Sequence, residues 1–236
     1  MSNDMKRLTA PRSWPVPRKS HVWITSPSPG PHSIEVSMPI MLIIRDMLHL
    51  CDTAAEGVKL LHAREIKVDG RVVTNHRFPV GLMDVVSIPK LGHNYRVVID
   101  ENDKLRLVSV PTGKEAWKLC RIENKTTLPG GKTQLNLHDG RNIIVAKDSW
   151  KSGDVVKLEV PSQKILETYK LAKGNMVLVI AGAHVGRLEA VEEYIITRSS
   201  APNLVKFKDG TTTVKNNVFV VGAKVPEISM PEVSVL

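Results

Sequence analysis

The chain has 236 residues, a formal net charge of +9, 42% hydrophobic residues and only 4% aromatic ones. That length and hydrophobic content fit several small folded domains and exclude wholesale disorder. No apolar run reaches the roughly 18 residues of a membrane-spanning helix, and the start, M-S-N-D-M-K-R-L-T-A-P-R, has no signal-like apolar stretch. Two cysteines, Cys51 and Cys120, are too few for a disulfide framework or a four-ligand zinc site, so a reduced cytoplasmic protein is expected. The positive excess points to an anionic partner, most simply a nucleic acid.

Residues 1–36 carry Lys6, Arg7, Arg12, Arg18 and Lys19 against Asp4 and Glu35. Prolines at positions 11, 15, 17, 27, 29 and 31 deny this stretch helix and central strand. Its large apolar groups, Trp14, Val16, Val22, Trp23 and Ile24, are too sparse for a core of their own. The segment reads as a basic, proline-stiffened arm. In such an arm Lys and Arg neutralise phosphates, while indole faces stack on unpaired bases. The alternative for Trp14 and Trp23 is packing on the next domain. The turn-forming run P-S-P-G-P-H (residues 27–32) implies a defined path rather than a loose tail.

The pattern changes at Ser37. Ile40, Leu42, Ile43, Ile44, Met47, Leu48 and Leu50 predict a strongly apolar helix, with Arg45, Asp46 and His49 on its remaining face. Thr53, with Glu56 three residues later, forms a capping box that opens a second helix carrying Ala54, Val58, Leu60 and Leu61. Then I-K-V-D-G-R-V-V (residues 66–73) alternates about an Asp-Gly turn and predicts a hairpin. The run M-D-V-V-S-I (residues 83–88) adds a strand. Residues 91–170 read as β throughout, and P-G-G-K-T (residues 129–133) is a hairpin loop. A phosphate-binding loop would need a glycine where Thr126 stands and a helix where a strand follows.

The two motifs of residues 37–90 resemble the S-four-type RNA-binding domain. Its pattern V-x-V-[ND]-G-[KR]-x-V is met at residues 66–73, and G-x-x-D-V-[IV] by G-L-M-D-V-V at residues 81–86. The resemblance implies RNA contacts from Lys59, Arg64, Lys67 and Arg71 around the helix-to-strand corner, and backbone N–H groups at the second helix start that face a phosphate. Ala54, Ala55 and Val58 stand where bacterial members usually carry arginines, so Arg45 and the arm are the candidates to compensate. Further along, K-G-N-M-V-L-V-I-A-G-A-H-V-G-R (residues 173–187) resembles the KOW motif of small SH3-like barrels. Gly182 and Gly186 would permit a close turn whose bare backbone approaches another surface.

The order of parts is similar to one family along nearly the whole chain, the archaeal/eukaryotic small-subunit ribosomal protein S-four of the e type. The short tail, without a basic extension, looks archaeal. The resemblance implies a mostly β chain with a small α+β module: an arm (1–36), an S-four-type domain (37–90), a central β domain (91–170), a KOW barrel (171–224) and a tail (225–236). The implied function is binding and stabilising small-subunit (16S-type) rRNA beside neighbouring ribosomal proteins, in the ribosome of the cytoplasm. No catalysis, membrane, small-molecule substrate or cofactor is implied, beyond magnesium ions that accompany rRNA. The candidate RNA contacts in the arm are Lys6, Arg7, Arg12, Trp14, Arg18, Lys19, Trp23 and His32. Arg45, Lys59, Arg64, Lys67, Arg71 and Arg77 follow in the second segment, with Lys173, Gly186 and Arg187 in the KOW segment. The rival readings are an RNA-modifying enzyme with an S-four-type tether and a KOW-containing transcription elongation factor. The roughly eighty-residue middle is too small for a catalytic domain and holds no clustered acid, base and nucleophile.

Overall fold

The computed structural model describes residues 4–111, 113–146 and 148–230. They form two compact units, one of residues 4–98 with 104–118 and the other of residues 99–103 with 119–230. The fold is mostly β with a small α+β module, as the sequence implied.

In the first unit the arm contributes β1 (Asp4–Lys6) and β2 (Trp23–Thr25), paired antiparallel so that Lys6 stands opposite Trp23. β3 (Ser37–Pro39) leads into α1 (Ile40–Leu42), which continues as a π-helical turn over Ile43–Met47. There the Leu48 N–H donates to the Ile43 carbonyl at 2.9 Å. The single helix expected over residues 40–50 is thus an α turn followed by a wider one. Side chains from Ile40 to Ile44 are all buried, so the segment is surrounded by core rather than laid on it.

α2 (Ala54–His62) opens with the predicted capping box: the Glu56 N–H donates to Thr53 Oγ1 at 3.3 Å, and the Thr53 N–H donates to Glu56 Oε2 at 3.3 Å. The strands β4 (Lys67–Val68) and β5 (Arg71–Val72) make the expected hairpin. Asp69 and Gly70 both take positive φ, the conformation that two-residue turn requires. β6 (Pro79–Gly81) pairs with β3, and β7 (Val85–Ile88), β8 (His93–Ile99) and β9 (Leu105–Ser109) complete a five-stranded sheet of order β5-β4-β7-β8-β9. One core runs through the unit. It includes Ala10, Trp14 and Ile24 of the arm together with Met38, Ile44, Leu61, Val68, Val86 and Leu105. The arm lacks enough apolar groups for its own core and shares this one.

The second unit holds two five-stranded sheets. β10 (Trp117–Thr127), β11 (Thr133–Leu137), β12 (Asn142–Val145), β13 (Val155–Glu159) and β14 (Ile165–Tyr169) are ordered β12-β11-β10-β13-β14. The P-G-G-K-T run is the β10–β11 hairpin loop, closed by the Leu128 N–H on the Lys132 carbonyl at 2.8 Å. β15 (Met176–Val179), β16 (Leu188–Ile195), β17 (Leu204–Phe207), β18 (Thr212–Val214) and β19 (Val218–Gly222) follow in the order β18-β17-β16-β15-β19. The last strand returns to pair with the first, β15, curling the sheet as an SH3-like element does. Of the tail, residues 231–236 lie outside the described residues. Residues 225–230 are tied down: Ile228 is buried, and Glu227 meets Lys157 Nζ at 3.1 Å and the Tyr169 hydroxyl at 3.1 Å.

Candidate RNA interface

The structure sorts the arm's residues into anchors and exposed groups. Trp14 is 1% exposed and its Nε1–H donates to the Ser37 carbonyl at 2.6 Å. Its expected stacking on a base is corrected, because both ring faces are spent in the core. Arg7 is also buried, and its Nε donates to the Pro17 carbonyl at 2.5 Å, closing the arm on itself. By contrast Trp23 is 56% exposed, with Lys6 Nζ 4.1 Å from its ring centroid. Lys6, Arg12 and Lys19 are exposed, and Arg18 is half-buried. Strand alternation explains the exposure of Trp23: Ile24 points into the core, so its neighbour points out.

His32 is not a surface group. Its Nε2 lies 3.0 Å from Asp84, and the ring packs so closely on Gly81 that a Cβ there would overlap it. Asp84 also accepts the Gly81 N–H at 2.9 Å and pairs with the buried Lys118, whose Nζ lies 3.0 Å from Asp69. Asp69 Oδ1 in turn accepts the Val85 N–H at 3.0 Å. Burial pushes the Asp84 carboxyl up, but His32 and Lys118, by charge and hydrogen bond, outweigh it and hold it well below the usual carboxylate range. The Asp-Gly turn and the G-L-M-D run, read from sequence as RNA-domain signatures, therefore also build a buried ionic knot under the arm. Lys118 gave no sequence signal, since a lysine in a strand reads as a solvent-facing residue.

Three other expectations in this unit change. Arg45 is half-buried and bidentate on Asp46, with Nη2 to Oδ2 at 2.8 Å, so its charge is matched by its neighbour. Arg77 donates from Nε to the Ser26 carbonyl at 2.9 Å and fastens the arm's turn. The α2 N-terminus is covered by the Glu56 carboxylate, which takes the Asp52 and Thr53 N–H groups and is held low by them; an anion there would meet a like charge. Lys59, Arg64 and Arg71 are exposed and Lys67 half-buried at the helix-to-hairpin corner, where the resemblance put them.

In the second unit Lys173 and Arg187 are exposed. Gly186 is buried at φ +79°, and a Cβ on it would collide with the backbone of Asp100 and Glu101. The surface that its bare backbone approaches is the chain's own turn, not RNA. Cys120, His138 and Asp139 form the one cluster among the described residues with metal-ligand atoms in reach of one another, all within 4.8 Å. Its hydrogen bonds are those of a structural group. Cys120 Sγ donates to Asp139 at 3.5 Å, and Asp139 pairs with Arg141 at 3.3 Å. His138 Nδ1 accepts the Arg121 N–H at 3.2 Å, which leaves the ring proton on Nε2 and no lone pair there for a metal.

The family models for Ribosomal family S4e and for the RS4NT (NUC023) domain match residues 91–165 and 1–35. The chain is 46% identical to small ribosomal subunit protein eS4 of Methanothermobacter thermautotrophicus, over 96% of this chain and 95% of the relative. It is 43% identical to the eS4 protein of Archaeoglobus fulgidus, over 93% of each. The crystal structure of 30S ribosomal protein S4e from Thermoplasma acidophilum superposes with a TM-score of 0.70 at 37% identity, covering 79% of this chain and 95% of that one. With the arm, the hairpin-bearing α+β module, the central sheet and the terminal half-barrel all present in that order, the chain belongs to the eS4 family of small ribosomal subunit proteins.

Proposed function

We propose that this protein is a structural constituent of the small ribosomal subunit, a cytoplasmic ribosome component that binds and stabilises folded 16S-type rRNA and carries out no reaction. The observation that carries the reading is the division of labour in the arm. Trp14, Ile24 and His32 fasten it to a folded core, while Lys6, Arg12, Lys19 and Trp23 are left toward solvent and Arg18 half so. Pre-ordering the arm lowers the entropic cost of placing its cations against phosphates. The helix-to-hairpin corner supplies Lys59, Arg64, Lys67 and Arg71 as a second set of phosphate ligands, and Lys173 and Arg187 a third. Magnesium ions at the interface would belong to the rRNA rather than to a protein site, and neighbouring ribosomal proteins would cover part of the remaining surface.

Sucrose-gradient sedimentation of lysate tests this. The protein should travel with small subunits and stay there at moderate salt. A free pool with activity on RNA would support the enzyme reading instead.

A further inference from the structure

Lys6, whose ammonium stands over the exposed Trp23 ring, also lines an open cleft of about 660 Å³ in the arm, within the size range of sites that hold one small ligand. Leu8 and Val22, 65% and 61% exposed, give it an apolar surface that the core does not use. Lys6, Arg18, Lys19 and His21 line the same cleft, and among the described residues no carboxylate does. Arg18 is incompletely satisfied: Nη1 reaches the Leu8 carbonyl only at 3.4 Å, and the covered Nη2 has no hydrogen-bond partner. A guanidinium in that state gains by turning toward an anion. The Trp23 ring is 56% exposed and carries the exposed Lys6 ammonium over its face, a cation–ring contact that a stacking base would exchange for its own.

We infer that this cleft and the Trp23 ring that adjoins it through Lys6 form a nucleotide-recognition site, taking one unstacked nucleotide of the rRNA, its base on the Trp23 ring and its phosphate on the cleft cations Arg18, Lys6 and Lys19. This rests on the rRNA-binding reading and deepens it. An apolar surface alone would suit a protein partner. Apolar groups ringed by cations without a matching anion suit a polyanion that carries aromatic rings. Duplex RNA offers the phosphates but hides the bases.

The test uses the full chain, small-subunit rRNA and filter binding across several salt concentrations, with the single-stranded octamer of uridine and a duplex of equal length as competitors. Trp23→Ala should weaken rRNA binding about 5- to 100-fold without altering the salt slope, as for loss of one stacked base. Trp23→Phe should recover most of it, and the octamer should compete better than the duplex against wild type but not against Trp23→Ala. Unchanged affinity in Trp23→Ala, with binding still lost on Lys6→Ala/Lys19→Ala, would overturn the nucleotide site and leave rRNA binding standing. Salt-independent or absent rRNA binding by wild type would instead sink the parent reading. If Trp23→Ala binds rRNA normally yet no longer enters subunits, the cleft is a protein-binding surface and the inference is wrong. Trp23 is outside the core, so the variants should melt with wild type.

Discussion

His32 Nε2 sits 3.0 Å from the Asp84 carboxylate with both side chains almost fully buried, which joins the proline-rich arm to the turn that leads into β7. Lys118, from the start of β10, completes the group by meeting Asp84 and Asp69. Three segments far apart in sequence are therefore locked by charges that water cannot screen. Breaking a buried pair leaves an uncompensated ion. Asp84→Asn or Lys118→Met should each cost about 3–5 kcal/mol in urea unfolding. Asp46→Asn, which breaks the half-exposed pair with Arg45, should cost no more than about 1 kcal/mol.

The same knot makes an acid-side prediction. The folded-state pKa of Asp84 is depressed, so its contribution is complete above the unfolded value near 3.9 and is lost as pH falls from there toward the folded value. Asp69, His32 and Lys118 are the ionisable groups that face it. Stability measured from pH 6 to pH 2 should drop steeply below about pH 4 in wild type. The drop should be shallower in Asp84→Asn, and equal slopes would remove Asp84 from this role.

The two arm tryptophans should separate by assay. Trp14→Ala removes a fully buried ring and orphans the Ser37 carbonyl, so a loss of about 3–5 kcal/mol is expected. Trp23→Ala should shift the unfolding midpoint little. Its effect belongs in RNA binding.

The arm's cations divide in the same way. Lys6→Ala, Arg12→Ala and Lys19→Ala together should flatten the log–log salt dependence of rRNA binding, by about 0.7–0.9 for each phosphate no longer neutralised. Arg7→Ala should leave the slope alone and lower stability, because its guanidinium is inside and bonded to Pro17.

Gly186 and Gly174 both lie at positive φ, but only Gly186 faces a wall. Gly174→Ala should cost only the left-handed strain of about 1–2 kcal/mol. Gly186→Ala should cost clearly more, since the added methyl would have to displace the Asp100–Glu101 backbone. Thermal unfolding of the two variants compares them directly.

Much of the fold was legible locally. The capping box at Thr53 and Glu56, the Asp69-Gly70 hairpin and the loop before β11 depend on neighbours a few residues apart, and all three stand in the structure. The π-helical turn was not legible, because the apolar positions of residues 40–50 fit either helical pitch. Nor was the fate of Trp14 against Trp23, which was open between packing and stacking until the fold seated Trp14 in the core against the Ser37 carbonyl and strand pairing turned Trp23 outward.

The net charge of +9 shows the same boundary. By sequence alone the chain has a positive excess, a basic arm and motifs sufficient to name a kind of partner, since composition and short-range spacing need no tertiary context. Which cations face that partner was a tertiary decision. Arg7, His32, Arg77 and Lys118 count toward a basic or titratable inventory, yet each is bonded inside to residues ten to fifty-two positions away. An ion is exposed or buried according to the groups folding brings beside it, and one-dimensional periodicity carries no record of those distances.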